Sequence, residues 1–135
     1  MTDKSTLAVA TIAATLLACG TAHASCKQSD TEGAWNVYTM NSIGEITNCR
    51  ISVDARGKIT SSKCSYWSGG SQVAATTIRG DISIQNSTDC TFVGTLNVGG
   101  LPHRVRQLTL MSDKKAANGF GTYSNGQFSI NLTKF

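Results

Sequence analysis

The chain has little histidine and no closely spaced pair of cysteines. It contains two histidines, His23 and His103, and none of its five cysteines belongs to a Cys-x-x-Cys pair. Structural metal sites usually draw their ligands from such pairs together with histidines. The sequence therefore predicts no metal centre, and no motif in it predicts a bound cofactor.

Groups that could perform catalysis are equally scarce. After residue 25 the only histidine is His103, between Pro102 and Arg104, where a surface or turn position is expected. A serine nucleophile needs a base within reach, and this histidine is a poor candidate for that role. The carboxylates fall mostly in predicted turns, and no two are placed together as a glycosidase requires. We expect a protein that is not an enzyme.

Charge is limited and scattered. Twelve Lys and Arg against eight Asp and Glu give a net charge of +4, with no stretch in which basic and aromatic residues alternate. A nucleic-acid partner is therefore not expected. A mildly basic surface is attracted to anionic polymers. The expected partner is an unidentified protein or a polymer of the cell envelope.

The longest apolar run, Leu7–Leu17, is shorter than the roughly 20 residues that span a bilayer. Lys4 precedes it, and Ala22-His23-Ala24 supplies the small residues that a signal peptidase cleaves after. We expect residues 1–24 to be a signal peptide, cleaved after Ala24, and 25–135 to be a single β domain. The style of the signal predicts a bacterial protein that is periplasmic or secreted.

An alternative processing site lies inside the same segment. Leu16-Leu17-Ala18-Cys19 resembles the lipobox of bacterial lipoproteins, in which Cys19 would be lipidated. A multi-chain lipid anchor would hold the protein firmly on a membrane, in contrast to free release. The alternative location is therefore that of an outer-membrane lipoprotein tethered through Cys19, and membrane contact is expected only in that case.

The chain has one proline, Pro102, and no helical periodicity. Short β-type runs separated by Gly, Asn, Asp and Ser predict an all-β fold, a single antiparallel up-and-down barrel or sandwich of about eight strands. The predicted strands are 33–40, 45–53, 58–66, 77–85, 90–98, 103–111, 119–124 and 127–133. Residues 68–76 are expected to form a loop, with at most one helical turn, and 112–119 a polar connection. A barrel of this length is expected to be filled by side chains.

Two local patterns predict pairing and faces. Asn125-Gly126 is a strong two-residue turn signal and would set Tyr123 opposite Phe128. Phe128, Ile130 and Leu132 would then share the inner face of the last strand. On another strand, Gly94 falls on the apolar face, at a point where a neighbouring chain segment could approach closely.

Four cysteines, Cys26, Cys49, Cys64 and Cys90, predict two disulfides in an exported domain. Proximity in the sequence favours Cys49–Cys64 and leaves Cys26–Cys90. A type I turn at Asp54–Gly57, however, pairs Val53 with Ile59 and sets Cys49 opposite Lys63, so that bridge would need a bulge or a shifted turn. Both possibilities stay open at this level.

Tyr66 and Trp67 precede Ser-Gly-Gly near the end of a predicted strand. Adjacent residues on a strand point to opposite sides, so one of the two rings is expected to be exposed. Such a ring is typical of surfaces that bind carbohydrate or protein. The alternative is an aromatic side chain that covers the mouth of a barrel.

Gly33-Ala34-Trp35 opens the first predicted strand, and Cys49-Arg-Ile-Ser-Val is followed by a further cysteine. Over residues 33–64 the chain resembles the calycin group, which includes lipocalins, avidins and small bacterial inhibitors of secreted metalloproteases. The resemblance implies that Trp35 plugs one end of a barrel and that the first hairpin carries a disulfide. The avidin tryptophan cage is missing, since Trp35 and Trp67 are the only tryptophans, so biotin binding is not implied.

The inhibitors of that group insert an N-terminal trunk into their target. Residues 25–32 could form such a trunk, unless a bridge through Cys26 ties them down. The function that the sequence favours is an exported, non-catalytic binding or envelope-associated protein that acts through its loops and one exposed face. The alternative is an inhibitor of a secreted or periplasmic hydrolase.

Overall fold

The computed structural model describes residues 25–135. The predicted signal peptide, its cleavage after Ala24 and the lipidation of Cys19 lie outside the described residues. Within them, no helix has the length and apolar character needed to cross a membrane.

The described chain begins with a short 3-10 helix, Gln28–Thr31, and continues as nine antiparallel strands. They are β1 (Gly33–Asn41), β2 (Ile46–Val53), β3 (Ile59–Ser68), β4 (Ser71–Thr76), β5 (Ile78–Asn86), β6 (Thr91–Val98), β7 (Leu101–Leu110), β8 (Ala116–Tyr123) and β9 (Gly126–Lys134). In space the sheet order is β4-β3-β2-β1-β9-β8-β7-β6-β5. The all-β, antiparallel prediction is confirmed.

The sheet curls into a barrel, and apolar side chains alternate along its strands so that one face is buried inside. Phe128, Ile130 and Leu132 are buried on β9, while the residues between them are exposed, as expected. Gly94 also lies on the inner face, where a side chain would collide with the backbone oxygen of Asp81 on β5. The predicted close approach is therefore confirmed.

The structure has nine strands where eight are expected, and the additional strand is β4; the strand expected at 77–85 is present as β5. Both run antiparallel to β3 and are separated by the single residue Thr77. β4 pairs with the second half of β3, whereas β5 pairs with β6. The two therefore act as halves of one long strand that changes partners at Thr77.

The barrel closes where β5 meets the first half of β3. One backbone bridge joins Lys58 to Asp81, and the amide of Ile82 donates to the carbonyl of Gly57 at 2.9 Å. A side chain supplies another link, since the Ile78 amide donates to Ser62 Oγ at 2.9 Å. This seam holds fewer backbone bonds than the regular ladders elsewhere.

The segment 68–76, expected to be a loop, contains strand β4, so that prediction is wrong. Gly69 and Gly70 both have positive φ, at 59° and 80°, and form a tight two-residue turn between Ser68 and Ser71. Paired glycines are a hairpin signal of the same kind as Asn-Gly. The polar connection at 112–119 is also shorter than expected, because β8 already begins at Ala116.

A β-bulge settles the disulfide pairing. The turn at Asp54–Gly57 forms as predicted, with the Gly57 amide donating to the Asp54 carbonyl at 2.9 Å, and Val53 pairs with Ile59. The register then shifts by one residue between Ser52 and Val53. The expected pairing of Cys49 with Lys63 is therefore wrong, and the cysteine faces Cys64 instead.

The two disulfides are Cys49–Cys64 and Cys26–Cys90. These are the pairs that sequence proximity favours. The first joins neighbouring strands, with Cα atoms 4.0 Å apart, and the second fastens the N-terminal segment to the turn before β6. Two buried disulfides indicate a protein that folds in an oxidising compartment.

The last hairpin turns one residue earlier than predicted. Tyr123 pairs with Gly126, and Phe128 pairs with Gly121 instead of with Tyr123. The bare backbone of Gly121 leaves room for the Phe128 ring, where any Cβ would collide with it. Because the pairing moves by two residues, every side chain keeps the face predicted for it.

Candidate ligand-binding cavity

One end of the barrel is closed by Trp35. Its side chain is 2% exposed, and its indole Nε1 donates to the carbonyl of Thr31 at 2.8 Å. The ammonium of Lys134 lies 4.8 Å from the centre of the ring, within range of a cation–π contact. These two contacts hold the Trp35 ring in place at this end of the barrel.

The N-terminal segment covers this closed end. Gln28 bonds to two backbone groups of β5, accepting from the Ile84 amide and donating to the Ile82 carbonyl, both at 2.8 Å. Asp30 forms a 2.8 Å salt bridge with Lys114. Burial opposes ionisation of Asp30, but hydrogen bonding and the charge of Lys114 outweigh it and lower the pKa of Asp30.

These contacts and the Cys26–Cys90 bridge hold residues 26–31 against the barrel. The trunk that the inhibitor resemblance implied for residues 25–32 is therefore wrong, because a trunk must project to enter a target.

The closed half of the barrel is filled by side chains, as expected. The space left among them is about 10 Å³, roughly the minimum for one water molecule. Its walls include Trp35, Phe92, Leu108, Leu110 and Leu132.

The open half of the barrel holds a cavity of about 440 Å³. The expectation of a wholly filled barrel is therefore wrong for this half. The reason lies in small side chains at positions that face the cavity, namely Thr39, Thr47, Ala75, Thr76 and Gly99.

The cavity has one mainly polar wall and one mainly apolar wall. The polar wall comes from β1, β2, β3 and the β1–β2 turn and comprises Thr39, Asn41, Glu45, Thr47 and Tyr66. The apolar wall comes from β5, β6 and β7 and comprises Ile78, Leu96, Val98 and Leu101, while Phe128 and Ile130 of β9 pair with Asn41 and Thr39 and so border the polar wall.

Glu45 is the centre of the polar wall. Asn41 Nδ2 donates to its carboxylate at 2.7 Å, and Ser68 Oγ donates at 3.3 Å. Hydrogen bonding from the Tyr66 phenol, together with these donors, lowers the pKa of Glu45. The same carboxylate raises the pKa of Tyr66 from 10.0 to about 12. At neutral pH the site therefore holds a carboxylate anion beside a neutral phenol.

His103 and Tyr123 form the corner between the two walls. Their rings are stacked with centroids 5.1 Å apart, and the Phe128 ring meets His103 edge-on at 5.4 Å. His103 Nδ1 lies 2.9 Å from the carbonyl oxygen of Leu101. The expectation of a surface or turn histidine is wrong, since His103 is half-buried within β7 and lines the cavity.

The Tyr123 hydroxyl is buried, and no residue of the described chain forms a hydrogen bond with it. A buried hydroxyl without a partner costs about 1–3 kcal/mol. Since Tyr123 lines the cavity, a water molecule or a ligand inside that cavity is the natural partner.

Tyr66 and Trp67 point to opposite sides of β3, as their adjacency predicts. Tyr66 lines the cavity, whereas Trp67 is 39% exposed on the outside. On the outer face Trp67 pairs with Ile46, which in turn pairs with Met40. The structure thus divides the predicted binding surface between the cavity and an outer apolar row, and the predicted protein or polymer partner stays a prediction.

Sequence reasoning missed Glu45, His103, Tyr123 and Phe128 as site residues. They come from turns and strands far apart in the chain, so no local motif unites them. The available signal was their shared inward face at one end of the barrel. Within residues 25–135, no cluster of three His, Cys, Asp or Glu side chains is placed to hold a metal ion.

No protein-family model matches this chain, and no curated protein matches it. Several solved β-barrels resemble its fold. A de novo designed fluorescence-activating β-barrel has a TM-score of 0.62 at 14% identity, over 82% of this chain and 99% of that one. A redesigned β-barrel, mFAP1, bound to DFHBI, has a TM-score of 0.59 at 15% identity, over 80% and 97% of the two chains.

A third similar structure, mFAP0, is also a redesigned β-barrel bound to DFHBI. Its TM-score is 0.57 at 17% identity, over 78% of this chain and 99% of that one. At such identities the likeness establishes a barrel fold alone. It therefore supports the barrel half of the calycin resemblance and not a particular calycin family.

Proposed function

We propose that this protein is an exported, non-catalytic binding protein that takes a small molecule into the open end of its barrel. The cavity of about 440 Å³ carries the proposal. Its size falls within the range of about 300–1,000 Å³ that is typical of small-molecule sites. A filled, fastened closed end and a hollow open end are the arrangement that a ligand-binding barrel needs.

Two further observations support the proposal. The redesigned barrels mFAP1 and mFAP0, which share this fold, are each bound to DFHBI. The two disulfides suit a protein that works outside the cytoplasm.

The non-catalytic part of the proposal rests on the surroundings of His103. Its ring stacks on Tyr123, and its Nδ1 bonds to a backbone carbonyl rather than to a hydroxyl nucleophile. A base for nucleophilic catalysis would need such a hydroxyl within hydrogen-bond reach.

The direct test is titration of the oxidised protein with an apolar dye whose fluorescence rises out of water. Thr39→Phe would place a ring in the cavity, since Thr39 lines it on β1. Met40→Phe is the matched control, because Met40 is the next residue and is exposed on the outer row. We expect at least about a tenfold loss of dye affinity in the first variant and none in the second.

Thermal melting should first show that both variants fold. Equal dye affinity in both variants and the unaltered protein would mean that the dye binds elsewhere, and the proposal would then be wrong.

A further inference from the structure

We infer that the cavity selects an amphipathic amine, whose protonated nitrogen meets Glu45 and whose apolar body lies against the opposite wall. This inference rests on the proposed function and names the class of ligand. It is carried by the division of the cavity walls, by the charge of the lining and by its supply of hydrogen-bond acceptors.

The division of the walls requires a ligand with two unlike ends. Glu45, Asn41 and Tyr66 lie together on the polar side. Leu96 and Val98 of β6 lie on the other side. A wholly apolar ligand would leave the polar groups without partners, and a wholly polar one would gain nothing from the apolar wall.

The charge of the lining favours a cation over an anion. Glu45 is the single Asp, Glu, Lys or Arg among the residues that line the cavity. Its three hydrogen-bonding neighbours, Asn41, Tyr66 and Ser68, are all uncharged donors. In the described chain the salt bridge formed is Asp30–Lys114, at the closed end, so Glu45 has no cation of its own.

An anionic ligand such as a fatty acid would place a second negative charge beside this carboxylate, with no Lys or Arg on the wall to offset it. A protonated amine would instead form a charge-assisted hydrogen bond, the stronger kind. Glu45 accepts hydrogen bonds from its neighbours, but a carboxylate can accept about four, so it can also accept one from an amine.

The aromatic corner also offers acceptors. A carbonyl oxygen can only accept, so the Nδ1–H of His103 donates to the Leu101 carbonyl. The unpartnered Tyr123 hydroxyl can accept as well as donate. Tyr66 and Tyr123 also line the cavity with aromatic rings, a residue type that attracts organic cations.

The test uses three probes with one apolar body: phenylbutylamine, phenylbutanol and phenylbutyrate. Each competes with the bound dye on the full oxidised protein at neutral pH. We expect the amine to bind at least about tenfold more tightly than the alcohol, and the carboxylate to bind most weakly. Added salt should weaken the binding of the amine and leave the binding of the alcohol unchanged.

A matched pair of variants tests whether Glu45 causes the preference for the amine over the alcohol. Glu45→Gln should reduce the advantage of the amine over the alcohol to about onefold, since it removes the charge and keeps the shape. Glu32→Gln removes the same charge from an exposed position beside the closed end and should leave the advantage intact. The comparison of probes on the unaltered protein stands even if Glu45→Gln fails to fold.

The outcomes separate the two levels of the proposal. If the alcohol binds as well as the amine, or if Glu45→Gln keeps the preference, the amine inference is wrong while the ligand-binding function stands. If neither the dye nor any of the three probes binds in the cavity, the proposed function itself fails.

Discussion

The two disulfides should stabilise the protein unequally, and the difference can be worked out from the chain. Cys26–Cys90 closes a loop of sequence separation 64, and Cys49–Cys64 closes one of separation 15. In the chain-entropy model a loop of the longer kind contributes about 4 kcal/mol to the free energy of unfolding, and one of the shorter kind about 3 kcal/mol. The first bridge also holds the N-terminal segment over Trp35, which adds to its effect.

We therefore expect the double variant C26A/C90A to lose about 4 kcal/mol or more, and C49A/C64A about 3 kcal/mol. The two variants are matched, because each replaces two buried cysteines with alanines. Urea denaturation followed by tryptophan fluorescence and circular dichroism gives both free energies of unfolding. A larger loss in C49A/C64A, or a loss below about 1 kcal/mol in C26A/C90A, would refute the reasoning from loop length and from the fastened N-terminal segment.

Gly121→Ala should lower the free energy of unfolding by about 1–3 kcal/mol, because its Cβ would collide with a backbone carbonyl and an aromatic ring. The control is Gly44→Asn, which lies in a turn with open space and positive φ and should fold as before. Thermal melting compares the two variants. Trp35→Phe keeps a ring in the plug but removes the indole donor, and a loss of about 1–3 kcal/mol in urea denaturation is expected; no loss would show that the hydrogen bond is unimportant. The pKa of Tyr66, raised to about 12, favours the neutral phenol in the folded state, so its contribution to stability is complete below pH 10 and is lost as pH rises towards 12. Ultraviolet titration should show one late-ionising phenol that disappears in Tyr66→Phe and ionises earlier in Glu45→Gln, and its persistence in Tyr66→Phe would assign it to another tyrosine. At acid pH, the lowered pKa of Glu45 means that its carboxylate stabilises the folded state above the ordinary pKa of 4.5, and this stabilisation is lost as pH falls through the lowered pKa. The free energy of unfolding of Glu45→Gln, measured against pH, should no longer show this loss.

The alternation of side chains was the part of the fold that the sequence could predict. It placed Phe128, Ile130 and Leu132 inside and marked Gly94 as a point of close approach. Hydrophobic burial is decided residue by residue, so it leaves a local trace in the sequence. Local residue preferences also predicted the Asp54–Gly57 turn and the pairing of Val53 with Ile59 beside it.

The register between strands could not be predicted from the sequence, because one extra residue in a strand changes the pairing along the rest of it. A bulge beside Val53 adds one residue to a strand and changes the partner of every residue beyond it, including Cys49. Likewise, Gly69-Gly70 falls near the start of the loop expected at 68–76, and the sequence does not show that this pair turns the chain into β4. The cavity could not be predicted either, because its lining comes from separate strands and from small residues that form no sequence motif.

Under the proposed function, the separation of a closed end from an open end would let recognition change independently of folding. The filled half, the Cys26–Cys90 staple and the Trp35 plug lie at one end, and Glu45, His103 and Tyr123 lie at the other. Substitutions at the mouth would then alter which molecules fit while leaving the filled half, the disulfide and Trp35 unchanged. The mouth can therefore be redesigned against an unchanged base.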